Sequence, residues 1–344
     1  MTLEAAELLP AAELETYLDE QGLGSGPLRA ARIGDGASNL TYLVERDGAR
    51  VVLRRPPPPP LPPSAHDMVR EANIQICLAR GGVRVPKILA VCEDDSVIGA
   101  PFYVMEEIVG AVITDTVPPA LDTPDERHRL GLELVDGLVD LHAVDYNACG
   151  LDRLGKPTGY LERQLRRWTG LWEVNATREL SDCFEIGELL KASMPESPPS
   201  TVVHGDYRLG NVMVGLDAPA RVVAILDWEM ATIGDPLADL GYLVATWAQP
   251  GDTEGALLEL GTVSAEPGFM TRGELVERYG SLSGRNVGDL GWYEALACWK
   301  AAVFLEGSYR RFLSGNADDP YFASLEHGVP GLGERALAAL EREP

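Results

Sequence analysis

The sequence predicts an α+β fold in which a small β-rich lobe precedes a larger helical lobe. Short runs rich in Val, Leu, Ile and Tyr recur between residues 28 and 106, whereas helical periodicity dominates from about residue 110 onward. Residues 56–63 are nearly all proline, so they form neither a helix nor a central strand and should be an extended connector. A strand-rich third followed by a helical remainder favours two lobes with a cleft between them.

The first lobe opens with a predicted helix at residues 3–21. Pro10 is tolerated only near a helix start, so the regular part of this helix should begin around Ala11. The Asp47-Gly48 pair is typical of a hairpin between two strands, and Ser64 is expected to cap the helix after the proline segment. The predicted elements are strands at 28–33, 40–46, 49–55, 87–92 and 101–106 and a helix at 65–79.

The boundary between the predicted lobes falls after residue 107, which gives lobes at 1–107 and 108–344. In the second lobe, apolar residues recur with helical spacing over long segments. Asp235 followed by Pro236 is typical of a helix start, because the acid caps the helix and the proline occupies its first turn. The predicted helices are 125–142, 159–174, 179–194, 236–247, 272–282 and 289–313, with a last one near the C-terminus.

Composition excludes several classes of protein. The chain has 344 residues, of which 45% are hydrophobic and 24% charged, as in globular proteins. Its 53 acids against 29 Lys and Arg give a net charge of −24, which argues against nucleic acid or a membrane surface as partner. The five scattered cysteines are expected to be reduced core thiols. No basic segment followed by an apolar run opens the chain, so we expect a cytoplasmic location.

The most informative segment is residues 202–214, where His204, Asp206 and Asn211 lie on a loop between two apolar strands. The strand that follows ends in Asp227. Phosphoryl transfer depends mostly on positioning and charge neutralisation. Asp206 would accept the proton of a substrate hydroxyl, while Asn211 and Asp227 supply the hard oxygen ligands that Mg²⁺ prefers. The alternative is a polar hairpin loop with capping Asp and Asn residues.

These motifs resemble the aminoglycoside phosphotransferase and choline kinase superfamily, whose fold is protein-kinase-like. Residues 52–56, 61–67 and 97–106 are similar to the branch that includes the kinase-like domain fused to some acyl-CoA dehydrogenases. The resemblance covers residues 28–311 and implies a nucleotide-binding first lobe and a catalytic, substrate-binding second lobe. The segments that carry it are 204–214, 224–229 and 233–240.

The resemblance also implies roles for single residues. Asp206 would be the catalytic base, and Asn211 and Asp227 would bind the metal. The loop at residues 34–39 would cover the nucleotide phosphates with its backbone N–H groups, although a plain hairpin has the same pattern. The residues expected to bind the cofactor ATP are Arg54, Glu71, Gly36, Ser38 and Asn39.

Arg54 departs from the family pattern, in which a lysine grips the phosphates and a helix carboxylate, here Glu71, orients it. Arginine can pair with Glu71 and meet a phosphate with its planar fork. The alternative is a surface cation beside the proline segment, and Arg55 would take the role if the strand register shifts by one residue.

Two residues near Asp206 are predicted to support it. His204 is expected to hold the loop through hydrogen bonds rather than to act as a base. Asp239 would support the catalytic loop as in the family, or would be an exposed first-turn acid favoured by the helix dipole. Only about a dozen residues separate Asp227 from Asp239, too few for the activation loop of a protein kinase, so a small-molecule acceptor is expected.

The acceptor side is predicted from arginines that lie close to aromatic residues. Residues 160–168 hold three arginines and two aromatics, and residues 299–311 form a second such group. Both groups could hold an anionic acceptor such as a coenzyme A thioester, or could pack between helices with their charges in water. The candidate acceptor residues are Arg163, Arg167, Trp168 and Arg310.

Three functions are compatible with this sequence. The leading hypothesis is an ATP- and Mg²⁺-dependent phosphotransferase acting on a hydroxyl of a small molecule, such as a hydroxyacyl-CoA-like acceptor. An antibiotic kinase would need a dense carboxylate lining for a polycation, against which the arginine-rich helices argue. A catalytically silent nucleotide-binding module is motivated by Arg54, but intact Asp206 and Asp227 argue against it.

Overall fold

A computed structural model describes residues 8–34, 39–59, 66–178, 180–252, 255, 257–315 and 321–342. The chain divides into two compact units. Unit 1 is Met1–Val109 with Leu226–Glu229, and unit 2 is Gly110–Ile225 with Met230–Pro344. Unit 1 carries an antiparallel sheet and unit 2 is mostly helical, which confirms the predicted α+β class.

Unit 1 is built on a five-stranded sheet with strand order β1-β2-β3-β5-β4, in which every neighbouring pair is antiparallel. Helix α1 begins directly after Pro10, as predicted, and buries Leu14 and Leu18 in the core of the sheet. The elements are α1 (Ala11–Glu20), β1 (Ser25–Arg32), β2 (Leu40–Asp47), β3 (Ala49–Arg55), α2 (Met68–Arg80), β4 (Ile88–Cys92) and β5 (Phe102–Glu106).

Helix α2 starts three residues later than predicted. The Asp67 side chain accepts a hydrogen bond from the backbone N–H of Arg70 and so caps the helix, and Met68 is its first residue. His66 has a φ of 61°, which is incompatible with a helix continuing through it. The predicted cap, Ser64, lies outside the described residues.

Unit 2 is organised around helix α8, which packs against both α6 and α9. The 24 residues of α8 are largely apolar on all sides, as expected of a helix buried among others. Its Trp292 and Trp299 side chains are buried in the core of unit 2. The helices are α3 (Pro124–His142), α4 (Tyr160–Asn175), α5 (Ser181–Ala192), α6 (Pro236–Thr246), α7 (Arg272–Ser283), α8 (Leu290–Leu313) and α9 (Tyr321–Leu340).

Short strands in unit 2 flank the loop that carries Asp206. Strand β7 pairs with β10, and β8 lies between β6 and β9. The sequence indicated β7 and β8 as apolar runs on either side of the Asp206 loop, but it did not indicate β6 or β10. These strands are β6 (Ala111–Val112), β7 (Thr201–Val203), β8 (Val212–Val214), β9 (Val222–Ile225) and β10 (Thr232–Gly234).

Two further predictions concern the chain as a whole. None of the five cysteines, all of which the structure describes, forms a disulfide, but Cys77 and Cys149 are only partly buried and so are not the core thiols that were predicted. Among the helices that the structure describes, none combines the length and the apolar character needed to cross a lipid bilayer.

Candidate active site

Arg54 is the centre of a buried ion-pair cluster in unit 1. Its Nε atom lies 3.2 Å from Oε1 of Glu71, and its Nη2 atom donates a hydrogen bond of 2.7 Å to Oδ1 of Asp227. The Arg54 side chain is only 15% exposed, which excludes a surface cation. Arg55 instead donates to the carbonyls of Pro56 and Ile98. The register that places Arg54 opposite Glu71 is therefore confirmed.

Glu71 is held by a second hydrogen-bonding residue. The Tyr103 hydroxyl donates to Oε1 of Glu71 at 2.9 Å and accepts from Nε2 of Gln75 at 3.2 Å. Burial raises the pKa of Glu71, although Arg54 and Tyr103 oppose this shift. Oε2 of Glu71 and Nε of Arg54 are buried without a well-aligned hydrogen bond. The cluster therefore retains unsatisfied polar atoms, as a site for a charged ligand would.

Asp227 lies in a short segment that unit 1 holds from several sides. Its φ of 64° is in the left-handed region, which Asp tolerates better than most residues. Two residues further on, Glu229 accepts a hydrogen bond from Nδ2 of Asn39 at 3.1 Å on its side chain, and its backbone carbonyl accepts one from Arg70 at 3.2 Å. These contacts fix the segment that carries the Asp227 carboxylate.

Of the predicted phosphate loop, residues 34–39, the structure describes Gly34 and Asn39. Asn39 is buried, and its Oδ1 lies 2.8 Å from Nδ1 of His66. The Asn39 side chain is thus engaged by unit 1 itself. Gly36 and Ser38 lie outside the described residues.

In unit 2, the loop before Asp206 is fixed by Asp239. The backbone N–H groups of His204 and Gly205 donate to the two oxygens of Asp239 at 2.6 and 2.8 Å. Asp239 is 1% exposed, so it is not the exposed first-turn acid of the alternative prediction. Burial acts to raise the pKa of Asp239, but hydrogen bonds from His142 and His204 outweigh it and the pKa is lowered. Asp239 therefore remains charged and holds the loop.

His204 and Gly205 complete the loop geometry. Nδ1 of the buried His204 accepts a hydrogen bond from the backbone N–H of Asp206 at 3.2 Å, as expected of a residue that holds the loop. Gly205 has a φ of +86°, and a Cβ atom there would lie 2.9 Å from the carbonyl oxygen of Met230. A side chain at position 205 would therefore strain the backbone and displace Met230.

Asp206 and Asn211 are brought together as predicted. Nδ2 of Asn211 donates to Oδ2 of Asp206 at 2.6 Å and to its backbone carbonyl at 2.8 Å. Arg208 places its Nε 3.6 Å from the other carboxylate oxygen. The Tyr242 hydroxyl also contacts Asp206, and burial together with this carboxylate raises the pKa of Tyr242 well above its ordinary value. Three side chains, those of Asn211, Arg208 and Tyr242, thus orient or surround the Asp206 carboxylate within unit 2.

Asp206 opens onto a cavity of about 750 Å³ inside unit 2. This volume is in the range of small-molecule sites. Its wall is mainly apolar, and its charged members are Asp206, Glu259, Lys300 and Arg311. Apolar residues of the wall include Trp168, Met230, Leu260, Ala301, Phe304 and Leu305.

The structure separates the predicted acceptor residues. Trp168 lines the cavity and donates from Nε1 to Gln164 at 3.2 Å. Arg163 donates to the backbone carbonyl of Lys156 at 2.6 Å, and Arg310 donates to that of Val174. The Arg167 guanidinium lies 6.0 Å from the Trp168 ring centre. Of the four, Trp168 alone is among the described residues that line the cavity.

Sequence reasoning missed Tyr242 and Tyr103. Tyr242 follows Asp239 by three residues on α6, so the helical spacing places both on the face toward the Asp206 loop, a signal that was available. The sequence predicts Tyr103 only as a residue of a strand. No local pattern shows that its hydroxyl forms a hydrogen bond with Glu71.

Comparisons with known proteins identify the family to which the chain is similar. The model of the phosphotransferase enzyme family matches residues 29–266. Acyl-CoA dehydrogenase family member 11 of Rattus norvegicus is 33% identical over 356 residues, which cover 99% of this chain and 45% of that protein. The chain spans less than half the length of the curated relatives it matches.

Solved structures show the same fold. A protein of Ralstonia eutropha JMP134, provisionally assigned as an aminoglycoside phosphotransferase, is 30% identical with a TM-score of 0.83 and covers 97% of this chain and 98% of its own. Spectinomycin phosphotransferase, solved with ADP and spectinomycin, is 13% identical with a TM-score of 0.62 and covers 96% of this chain and 98% of its own. With its kinase-like fold and with most of its length matched, this chain belongs to the phosphotransferase enzyme family.

Proposed function

We propose that this chain is an ATP- and Mg²⁺-dependent phosphotransferase that acts on a hydroxyl group of a small molecule. The observation that carries the proposal is the Asp206 carboxylate, which Asn211 orients at 2.6 Å and which opens onto a cavity of about 750 Å³. A positioned base and a cavity for the acceptor are two of the elements that transfer to an alcohol requires.

Asp206 is proposed as the general base. An acceptor hydroxyl in the cavity gives its proton to the Asp206 carboxylate while its oxygen forms a bond to the γ-phosphorus of the nucleotide. The bond between that phosphorus and the β,γ-bridging oxygen breaks, and the nucleoside diphosphate leaves with the electron pair. Asn211 and Arg208 hold the carboxylate during this transfer.

Four polar or charged residues are suited to bind a nucleotide and its metal. Arg54 is a largely buried cation whose planar guanidinium can bind phosphate oxygens, and Glu71, 3.2 Å from its Nε, keeps it oriented. Asn211 precedes β8, and Asp227 follows the paired strand β9 by two residues. Their oxygens are proposed as ligands of Mg²⁺, which needs only one or two protein ligands beside water and phosphate. When bound, Mg²⁺ would neutralise charge that develops on the phosphates.

The cavity favours an amphiphilic acceptor over a polycationic antibiotic. Among its described lining residues the acids are Asp206 and Glu259, and Lys300 and Arg311 bring an equal number of positive charges. A site for a polycation would need a clear excess of carboxylates. Together with the similarity to acyl-CoA dehydrogenase family members, this lining supports a hydroxyacyl-CoA-like acceptor.

The proposal is tested by a phosphoryl-transfer screen with ATP, Mg²⁺ and a panel of hydroxyacyl-CoAs, amino alcohols and aminoglycosides. Asp206→Asn should reduce kcat by roughly 10²- to 10⁴-fold while nucleotide affinity stays unchanged. Asp217→Asn, on an exposed loop, is the matched control and should leave kcat unchanged. Equal turnover by Asp206→Asn and the wild type would refute the role of Asp206. Nucleotide binding without transfer to any acceptor would favour the silent module.

A further inference from the structure

Lys300 lies near the middle of α8 and lines the cavity that contains Asp206. Its Nζ atom lies 5.3 Å from the centre of the Trp168 ring, a cation–π contact. Within the described ranges, no carboxylate oxygen lies within 4.0 Å of this nitrogen, and no residue forms a hydrogen bond with it. The three N–H donors of the ammonium group are therefore available to a ligand.

A cation in mainly apolar surroundings is costly unless something pairs with it. Burial lowers the pKa of Lys300 to about 8, with Arg167 of α4 acting in the same direction and Asp239 of α6 and Asp206 of the catalytic loop opposing it. Tyr160 and Tyr242 also line a smaller pocket next to Lys300. These neighbours leave Lys300 protonated at neutral pH but incompletely compensated.

The other cavity cation has a partner in the protein. Nη2 of Arg311 donates to Oγ of Ser308 at 2.9 Å. Among the charged residues of the described lining, Lys300 is thus the cation whose donors are all unused. An anionic oxygen entering the cavity would find its best partner there.

We propose that Lys300 selects the acceptor by charge, binding an anionic oxygen group of the acceptor and excluding acceptors that carry a cation at that position. This inference rests on the proposed function, because it takes the cavity as the acceptor site. The hydrocarbon part of the acceptor packs on side chains such as Phe304 and Leu305. The anionic group is a carboxylate, or a phosphate of a carrier to which the acyl group is attached.

The expected effect on affinity follows from the strength of hydrogen bonds to charged groups. Such a bond contributes about 1.5–3 kcal/mol, equivalent to a factor of roughly 10 to 100 in Kd. A cationic acceptor would lose this gain and add repulsion between like charges, so it should bind more weakly than a neutral one.

The test measures binding to the full chain by titration calorimetry at pH 7, without nucleotide. The probes are ω-hydroxydodecanoate, the corresponding diol and the corresponding amino alcohol, which differ only in the charge at one end. The wild type should bind the hydroxy acid roughly 10- to 100-fold more tightly than the diol and the amino alcohol most weakly. Lys300→Met should lose the preference for the acid and keep the affinity for the diol within about threefold.

Two further variants separate charge from folding. Lys300→Arg keeps the cation and should retain most of the preference. Lys191→Met removes an exposed lysine of α5 and should bind all probes as the wild type does. Thermal denaturation of each variant verifies that it is folded. An unchanged acid preference in folded Lys300→Met, or binding of none of the probes by the wild type, would overturn the proposal.

The CoA thioester of the hydroxy acid separates the two sources of negative charge. If Lys300→Met weakens binding of the free acid alone, the group that Lys300 binds is a carboxylate. If it weakens binding of the thioester alone, the group is a phosphate of the carrier. Phosphoryl transfer is measured in parallel with Asp206→Asn as control. Transfer that occurs with no effect of Lys300→Met rejects the role of Lys300 and keeps the phosphotransferase. A Lys300-dependent acid preference without any transfer keeps the anion site and rejects the phosphotransferase.

Discussion

Arg54 donates a hydrogen bond to Asp227 while its Nε atom lies within 3.2 Å of Glu71, so one guanidinium joins two carboxylates of unit 1. A planar fork with several donors can serve two acidic partners at once, whereas the ammonium of a lysine is a single point of charge. The arginine at this position is therefore compatible with orientation by Glu71. It also neutralises the carboxylate of Asp227, which we propose as a metal ligand.

The first prediction concerns the Arg54–Glu71 pair. Arg54→Met should lower the free energy of unfolding by about 3–5 kcal/mol, because it leaves the buried Glu71 carboxylate without its cation. The double variant Arg54→Met/Glu71→Gln should recover part of this loss, since no charge then remains buried at that position. Chemical denaturation at pH 7 measures all the variants.

Acidification should also reduce the cost of Arg54→Met, because burial already raises the pKa of Glu71 and its carboxylate would protonate readily. Arg129→Met is the control, since its exposed side chain lies 3.8 Å from Glu126 and such pairs contribute at most about 1 kcal/mol. Strictly additive losses in the double variant would show that the two side chains are not coupled.

The second prediction concerns the backbone at Asp227. The backbone φ of Asp227 is 64°, in the left-handed region where glycine has no steric penalty. The free energy of unfolding of Asp227→Ala should therefore be lower than that of Asp227→Gly by about 1–2 kcal/mol. Both variants lack the carboxylate, so both should lose Mg²⁺-dependent binding of a non-hydrolysable ATP analogue. Denaturation and titration calorimetry provide the two measurements.

Asp217 offers a matched control, because it is an exposed aspartate without a positive φ. There the glycine variant should be no more stable than the alanine variant. Equal stability of Asp227→Gly and Asp227→Ala would contradict the left-handed backbone, and wild-type nucleotide affinity in both would contradict the metal role.

Local sequence signals were sufficient for the elements that carry the site. Strand β3 runs over Ala49–Arg55 as predicted, because the Asp47-Gly48 turn sets the hairpin register, and this register turns Arg54 toward Glu71. The loop with Asp206 and Asn211 was recognisable because a short polar spacing between apolar strands is itself a local pattern.

The tertiary contacts of individual side chains could not be predicted from these local patterns. Arg163 and Arg310 were expected at the acceptor, yet Arg163 donates to the carbonyl of Lys156, just before its own helix, and Arg310 donates to that of Val174 on α4. An arginine-rich helix has the same sequence pattern whether its side chains reach a ligand or a carbonyl, and only tertiary packing decides between them. The same holds for Leu226–Glu229, which follows strand β9 of unit 2 but belongs to unit 1.

The third prediction concerns Lys300 and pH. Burial lowers its pKa in the folded state from 10.5 to about 8, so the folded protein binds fewer protons there than the unfolded chain. Burial of the protonated Lys300 lowers the free energy of unfolding; this cost is fully present below pH 8 and disappears as pH rises toward 10.5. Lys300→Met should therefore unfold less readily than the wild type at pH 7, by at most about 3 kcal/mol.

This stability difference should stay constant below pH 8 and shrink above it, because the wild type gains stability as folded Lys300 loses its proton while the unfolded lysine remains charged. Denaturation between pH 6 and pH 10 follows it, with Lys191→Met as an exposed control that should show no such trend. Over the same range an anionic acceptor should bind progressively more weakly above pH 8 to the wild type, but not to Lys300→Arg, which stays charged. If Lys300→Met is more stable but still prefers the anionic acceptor, the buried lysine destabilises the protein without contributing to binding. If Lys300→Met is more stable and also loses the preference for the anion, the result is the one expected of a binding site that keeps an unfavourable charge for its ligand.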